Sequence, residues 1–274
     1  MRATPIAIVA ALLLTLGACN ASGPGHKTET LVVTGSSTVA PLVSDIARRF
    51  EGENPGVRID VQTGGSSRGL SDVRRGLASI GMVSRSPKDG EDDLQWTAIA
   101  KDGLALIVHA DNPVEALSAD QVEAIYRGRV EDWGLVGGQP APITVVNKAE
   151  GRSTLEVFLS HFGLGSRDVR SSVVIGDNQQ GLKTVAGNPD AIGYVSIGAA
   201  ELEAELGTPV KLLRLGDAVP STDAVRSGSY PIARTLHLVS GESPSGLATT
   251  FLDYCRSPDV ADLIEGQYFV PLAG

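Results

Sequence analysis

The chain has 274 residues, enough for one large domain or for two lobes with separate cores. Hydrophobic residues at 42% and charged residues at 20% are those of an ordinary globular protein, which excludes a disordered chain, and aromatics at 4% leave the core to Leu, Ile, Val and Ala. A formal net charge of -9 argues against a nucleic-acid partner, and it requires any anion site here to create its own local positive field.

The first residues read as a targeting signal. Arg2 supplies a positive charge, and the apolar run from Ile6 to Leu16 is too short to span a bilayer. Leu16-Gly17-Ala18-Cys19 matches a bacterial lipobox, in which small residues admit a signal peptidase and the thiol carries lipid; the plainer alternative is an ordinary signal peptide that contains a cysteine. Residues 1–18 are therefore expected to be a lipoprotein signal peptide, and 19–29 a lipidated Cys19 with a Gly/Pro tether. The other cysteine, Cys255, then has no partner and reads as a small buried apolar residue.

From Thr30 onward strand and helix alternate. Leu31-Val32-Val33 predicts a strand running into Gly35-Ser36-Ser37-Thr38, and Pro41 marks the first turn of a helix. Val43, Ile46, Ala47 and Phe50 lie on one stripe of that helix, which Asn54-Pro55-Gly56 ends. Val57, Ile59 and Val61 alternate as a second strand that meets Gly64-Gly65-Ser66-Ser67 and another helix. Ile80 to Val83 is a third strand, followed by Ser84-Arg85-Ser86-Pro87. Leu104 to His109 is continuously apolar and predicts a fully buried strand. Ser118-Ala119-Asp120-Gln121 is a capping box before Val122, Ile125 and Tyr126. Ile143 to Val146 predicts a strand, and Asn147 to Ser153 a polar loop. Leu155, Phe158, Leu159 and Phe162 form a helical stripe stopped by Gly163. Strands follow at Ile192 to Val195 and Ile232 to Val239, then helices through Leu247, Phe251 and Tyr254 and through Val260 to Ile264, with Pro258 at the start of the last. This alternation predicts an α/β architecture with mostly parallel sheets. No flexible linker divides the mature chain, so two lobes would be joined by strands, and 104–109 and 232–239 are the candidates.

Three junctions share one chemistry: Gly35-Ser36-Ser37-Thr38, Gly64-Gly65-Ser66-Ser67-Arg68-Gly69 and Glu150-Gly151-Arg152-Ser153-Thr154. Each precedes a helix, whose N-terminus exposes unpaired N–H groups and a partial positive charge. Hydroxyls add neutral donors, and glycine lets backbone approach a ligand. Converging, the three would make an anion pocket inside an acidic protein. Taken singly, each loop reads as ordinary helix capping; it is the shared composition of the three, with two hydroxyls each where a cap needs one, that points to a pocket. Arg85 and Arg152, beside these segments, are either bidentate anion ligands or ion-paired surface arginines.

The order of these segments resembles the periplasmic phosphate-binding proteins of ABC importers across nearly all of residues 30–274. The resemblance rests on Gly35 to Leu42, Gly65-Ser66-Ser67, Ile80 to Arg85, Asp102 to Val108, Val145 to Thr154, Ala191 to Val195 and Gly266 to Leu272. It implies a two-lobe type II periplasmic-binding-protein fold, α/β, with two crossover strands and a central ligand cleft. Lobe I would take 30–108 and 234–274, and lobe II 109–233. It also implies phosphate-binding roles for Ser37, the Thr38 N–H, Ser66, Ser84, Arg85, Ser153 and Thr154, with Arg152 added as a replacement for a family arginine. That arginine usually stands just before the second-lobe loop, where this chain has Asn147-Lys148; Ser84 stands where many relatives place an aspartate that accepts the proton of hydrogen phosphate. The expected partners are inorganic phosphate, the permease and ATPase of an importer, and a membrane through the lipid at Cys19. A monomer is expected, lipid-anchored in the bacterial cell envelope on the periplasmic or extracytoplasmic face, with no cofactor, metal or nucleic acid.

Two other readings keep part of this pattern. A sensor or binder of another tetrahedral oxyanion (sulfate, molybdate, arsenate) would use the same cleft. A serine hydrolase would use Ser67 in Gly65-Ser66-Ser67-Arg68-Gly69 with Asp223 and His237, though His237 falls within an apolar strand and the other two loops would have no role. The four histidines are scattered, and no pair has helical ligand spacing.

Overall fold

The computed structural model describes residues 28–272. The segment expected to be a signal peptide, Cys19 and most of the expected tether lie outside the described residues.

The chain runs through β1 (Glu29–Gly35), α1 (Ala40–Glu53), β2 (Val57–Thr63), α2 (Ser66–Arg74), β3 (Ile80–Val83) and β4 (Gln95–His109). It continues through β5 (Ala116–Leu117), α3 (Ala119–Tyr126), β6 (Thr144–Lys148), α4 (Ser153–His161), β7 (Val173–Ile175), α5 (Asn178–Ala186), β8 (Ala191–Ser196), α6 (Ile197–Glu205), β9 (Val210–Leu215) and α7 (Thr222–Ser227). It returns through β10 (Ala233–Ser240) to α8 (Gly246–Arg256), α9 (Ala261–Gly266) and β11 (Val270–Pro271).

Two lobes follow from the pairing. In the first, β1 pairs in parallel with β2 and β3, while β10 and β11 run antiparallel. In the second, β6 pairs in parallel with β7 and β8, and β5 with β9. One strand belongs to both: β4 pairs with β10 through Gly103 and, from Leu104 onward, with β8 and then β9. The apolar run at 104–109 is thus the second half of a 15-residue strand. Its first half was hidden because Lys101 and Asp102 interrupt the apolar pattern at the crossing.

Each sheet carries a helical layer on both faces. On one face of the first lobe Phe50 of α1 meets Phe251 of α8 edge-on at 5.3 Å, over a core that includes Leu42, Ile46 and the fully buried Cys255. The stripe on α1 read from sequence is the buried face. On the opposite face α2 places Leu70 and Val73 against Val83 and Val239. In the second lobe Phe158 of α4 stacks on Tyr194 of β8 at 4.0 Å and packs against Tyr126 of α3 at 4.5 Å. The few aromatics are shared between the two lobes, and in each the packed rings bury a large apolar area.

Two local expectations change. The last helix begins as a 3-10 turn at Pro258–Val260, with Pro258 at a first position where no N–H is needed, and regular helix starts at Ala261. Asn147 and Lys148 are not loop: both are buried residues of β6, held by pairing to Val174 and Ile175 of β7. Their polar side chains hid that strand's end from a reading based on hydrophobicity.

Candidate functional site

Three helices begin at the cleft between the lobes. None of them, α1 after Val39, α2 after Gly65 or α4 after Arg152, has a side-chain cap. Five other helices, α3, α5, α6, α7 and α8, are capped by Ser118, Asp177, Ser196, Ser221 and Ser245. The hydroxyls of the three predicted loops are therefore not spent as helix caps, and the N–H donors of those helix ends have no side-chain partner.

The hydroxyls meet one another instead. Ser36 Oγ donates to Ser84 Oγ at 3.0 Å and accepts from the Thr38 N–H at 3.2 Å. The Ser84 N–H donates to Ser66 Oγ at 3.4 Å. Thr154 Oγ1 accepts from Arg234 Nη1 at 2.9 Å, and Thr38 Oγ1 from Arg234 Nη2 at 3.4 Å. The neighbouring Ser153 hydroxyl is buried and has no protein partner. Thr38, Ser66, Ser84, Ser153 and Thr154 are all buried. Ser37 is half-buried and, with Thr38 and Asn178, lines a cavity of about 340 Å³ that opens beside the cluster.

Arg234 is the centre of this arrangement, and the sequence reading passed over it. Its Nε and Nη2 both reach Asp102 Oδ2, at 3.0 and 2.8 Å. Asp102 Oδ1 in turn accepts from Ser196 Oγ at 2.9 Å. Both residues are nearly inaccessible, and they face each other across β10 and β4 just where the chain crosses between lobes. A buried pair so fully bonded fixes a guanidinium in one orientation. One signal was available: alternation puts Arg234 on the inward face with Leu236 and Leu238.

The two arginines expected from sequence lie elsewhere. Arg85 is buried, but its guanidinium turns to Glu91, with Nη1 and Nη2 each 2.7 Å from a carboxylate oxygen, and its Nε lies 2.8 Å from Glu156 of the other lobe. Lys88 reaches the same Glu156 oxygen at 2.7 Å. Arg85 holds the Glu91 carboxyl below its usual range, as the principal cause of that shift. Arg152 lies across the cleft on Gly65: a Cβ there would sit 2.8 Å from both Arg152 Cδ and Gly151 O. Gly65 has φ +94°, and its neighbour Ser67 donates its N–H to Gly151 O at 3.2 Å, which joins α2 to the loop before α4.

The residues of the hydrolase reading are committed elsewhere. Asp223 pairs with Arg226 on α7, and His237 packs edge-on against Trp96 inside β10. Among the described residues no group of three or more His, Cys, Asp or Glu could hold a metal ion.

The geometry is thus a polar, buried meeting point of two lobes, with one fixed guanidinium, several hydroxyls and three uncapped helix ends. Such a site can bind a tetrahedral oxyanion by hydrogen bonds and partial charges. A family model described as the PBP superfamily domain matches residues 20–259. The chain is similar to the phosphate-binding protein PstS of Bacillus subtilis, 29% identical over 97% of this chain and 92% of that protein. It is also similar to the crystal structure of a phosphate ABC transporter substrate-binding protein with bound phosphate from Clostridium perfringens. That match has a TM-score of 0.84 and 28% identity, covering 89% of this chain and all of the other. An ABC-type phosphate transport receptor from Vibrio cholerae matches with a TM-score of 0.72 at 28% identity, over 88% of this chain and all of that one.

Proposed function

This chain belongs to the PBP superfamily, and on that premise we propose that it is an extracytoplasmic solute-binding protein. It closes its two lobes on inorganic phosphate and delivers it to the permease and ATPase of an ABC importer. The observation that carries this reading is that hydroxyls from two uncapped helix starts, Thr38 and Thr154, meet on the buried Arg234, with Ser66 of the third joined to it through Ser84. The likeness to phosphate-binding proteins over nearly the whole chain supports the choice of anion. The lipobox at Cys19 supports attachment to the membrane surface.

The anion is held by Ser37, the Thr38 N–H, Ser66, Ser84, Ser153 and Thr154, with Arg234 as the fixed cation. Arg152 replaces the family arginine from the rim, and Arg85 contributes by pulling Glu156 across the cleft. The lobes rock about the crossing in β4 and the return path into β10. Closure excludes water and so strengthens each hydrogen bond. No chemical step is involved.

Thermal unfolding with phosphate, arsenate, sulfate and molybdate tests the reading. Phosphate at a hundredfold excess over Kd is expected to stabilise the protein by about 2.7 kcal/mol. A larger gain with one of the other three would reassign the ligand, and no gain with any of them would refute an oxyanion site.

A further inference from the structure

Arg234 stands on β10 where the chain crosses between lobes, and its guanidinium is spent inside the protein. Nε and Nη2 donate to Asp102 Oδ2 at 3.0 and 2.8 Å, and Nη2 also to Thr38 Oγ1 at 3.4 Å. Nη1 donates to Thr154 Oγ1 at 2.9 Å and to the Ser84 carbonyl oxygen at 3.4 Å. An arginine has five N–H donors, and here five hydrogen bonds use them. None is left for a bound anion, so the guanidinium reaches a ligand through the groups it bonds.

Two of those groups are threonine hydroxyls, one from each lobe, and both are buried. Thr38 Oγ1 also accepts from Asn178 Nδ2 at 3.2 Å, and the Asn178 amide is held that way round because its Oδ1 accepts from Lys148 Nζ at 2.9 Å. A hydroxyl has two lone pairs and one proton. At Thr38 both lone pairs are taken, so this hydroxyl can only donate. At Thr154 the lone pair facing Arg234 is taken, and the proton turns away from the guanidinium. Neither hydroxyl donates to an acceptor among the described residues. Ser36 differs, since it spends its proton on Ser84 Oγ at 3.0 Å. Two buried O–H groups, aimed and unpaired as donors, call for an acceptor between the lobes.

We propose that Arg234 is a positioning residue and not itself an anion ligand: it turns the protons of Thr38 and Thr154 onto the anion and makes both threonines obligate donors. This rests on the oxyanion-binding reading above. The ligand then presents two proton-free oxygens to the hinge side of the cleft, and the P–OH of hydrogen phosphate faces away from both threonines. The same arrangement ties capture to closure. Thr38 precedes α1 in the first lobe and Thr154 lies in the first turn of α4 in the second, so one guanidinium orients both only when the lobes meet.

The test is calorimetric titration with inorganic phosphate on the wild type, Arg234→Lys, the double variant Thr38→Val/Thr154→Val, and the three substitutions together. Lysine keeps the charge but cannot reproduce the planar fork, so it isolates orientation. Arg234→Lys is expected to weaken phosphate binding by about tenfold or more when the threonines are present, and by less than about twofold once both hydroxyls are gone. An equal loss in the two backgrounds overturns the proposal, because Arg234 then acts on the anion by another route. Should the combined variant not fold or bind too weakly to titrate, a crystal structure of the wild type with phosphate answers the same question. Both threonine Oγ1 atoms should lie within about 3 Å of phosphate oxygens, with every Arg234 nitrogen beyond ~3.5 Å. An Arg234 N–H bonded to phosphate overturns the proposal. Those contrary results leave phosphate binding standing and remove only this inference. A wild-type protein that binds no phosphate removes the function proposed above and this inference with it.

Discussion

Three cations near the cleft show how neighbours decide what a charge does. Arg234 is held by Asp102 with donors left over for Thr38 and Thr154, Arg85 is neutralised by Glu91 and Glu156, and Lys148 is buried with no acid in contact. Only the first combines a fixed orientation with donors that reach the hydroxyls of the cleft. Arg234→Lys keeps the charge but loses the planar fork that reaches an acid and two hydroxyls together. With one or two charge-assisted hydrogen bonds gone, phosphate affinity is expected to fall by roughly tenfold to a hundredfold, measured by calorimetry. An unchanged affinity would move the centre of the site away from Arg234.

At the scale of elements, the division of labour among the helices is the informative feature. Ser118 caps α3 and its partner Gln121 closes the capping box, as the sequence predicted, far from any ligand. The helices at the cleft have hydroxyl-rich starts and no such cap. Gly65 enters α2 with a backbone conformation that side chains rarely adopt, and Gly151 O and Arg152 occupy the space a Cβ would need. Gly65→Ala is expected to cost about 1–3 kcal/mol in urea unfolding and to weaken phosphate binding, because the added methyl keeps the α4 loop from closing on α2. Ser118→Ala serves as the control: about 1 kcal/mol of stability lost, with affinity unchanged. If both variants kept wild-type affinity, the contact between α2 and the α4 loop would have no part in capture.

For the whole molecule the decisive feature is that one strand, β4, belongs to both lobes, whereas β10, the other crossover strand expected from sequence, pairs only with β3 and the first half of β4. β4 exchanges its partners between Gly103 and Leu104, and the return path is tied there by Leu104 N–H to Ile232 O at 2.9 Å and by Tyr230 Oη to Leu104 O at 2.9 Å. Bending is thereby confined to one short level of the molecule, beside Asp102 and Arg234. Away from it, Glu156 of the second lobe meets Arg85 and Lys88 of the first and favours the closed form. Glu156→Gln removes that attraction while leaving the anion cluster intact. Stopped-flow release of phosphate is expected to quicken by about fivefold, the equivalent of roughly 1 kcal/mol for a partly exposed pair, with little change in the association rate. A release rate equal to wild type would show that the ion pairs do not hold the lobes together.

The sequence by itself determined the local features: the α1 stripe of Val43, Ile46, Ala47 and Phe50, the capping box at Ser118, the three hydroxyl-rich helix starts and the α/β alternation. Periodicity and capping act over a few residues, so a few residues suffice to read them. Only the tertiary structure decided which charges matter. Asp102 and Arg234 are separated by 132 positions and become partners because β10 returns antiparallel to β4, while Glu91 and Glu156 claim Arg85 from two different lobes. The role of a buried charge depends on the counter-charge and the dielectric around it, and both are set by elements distant in the chain.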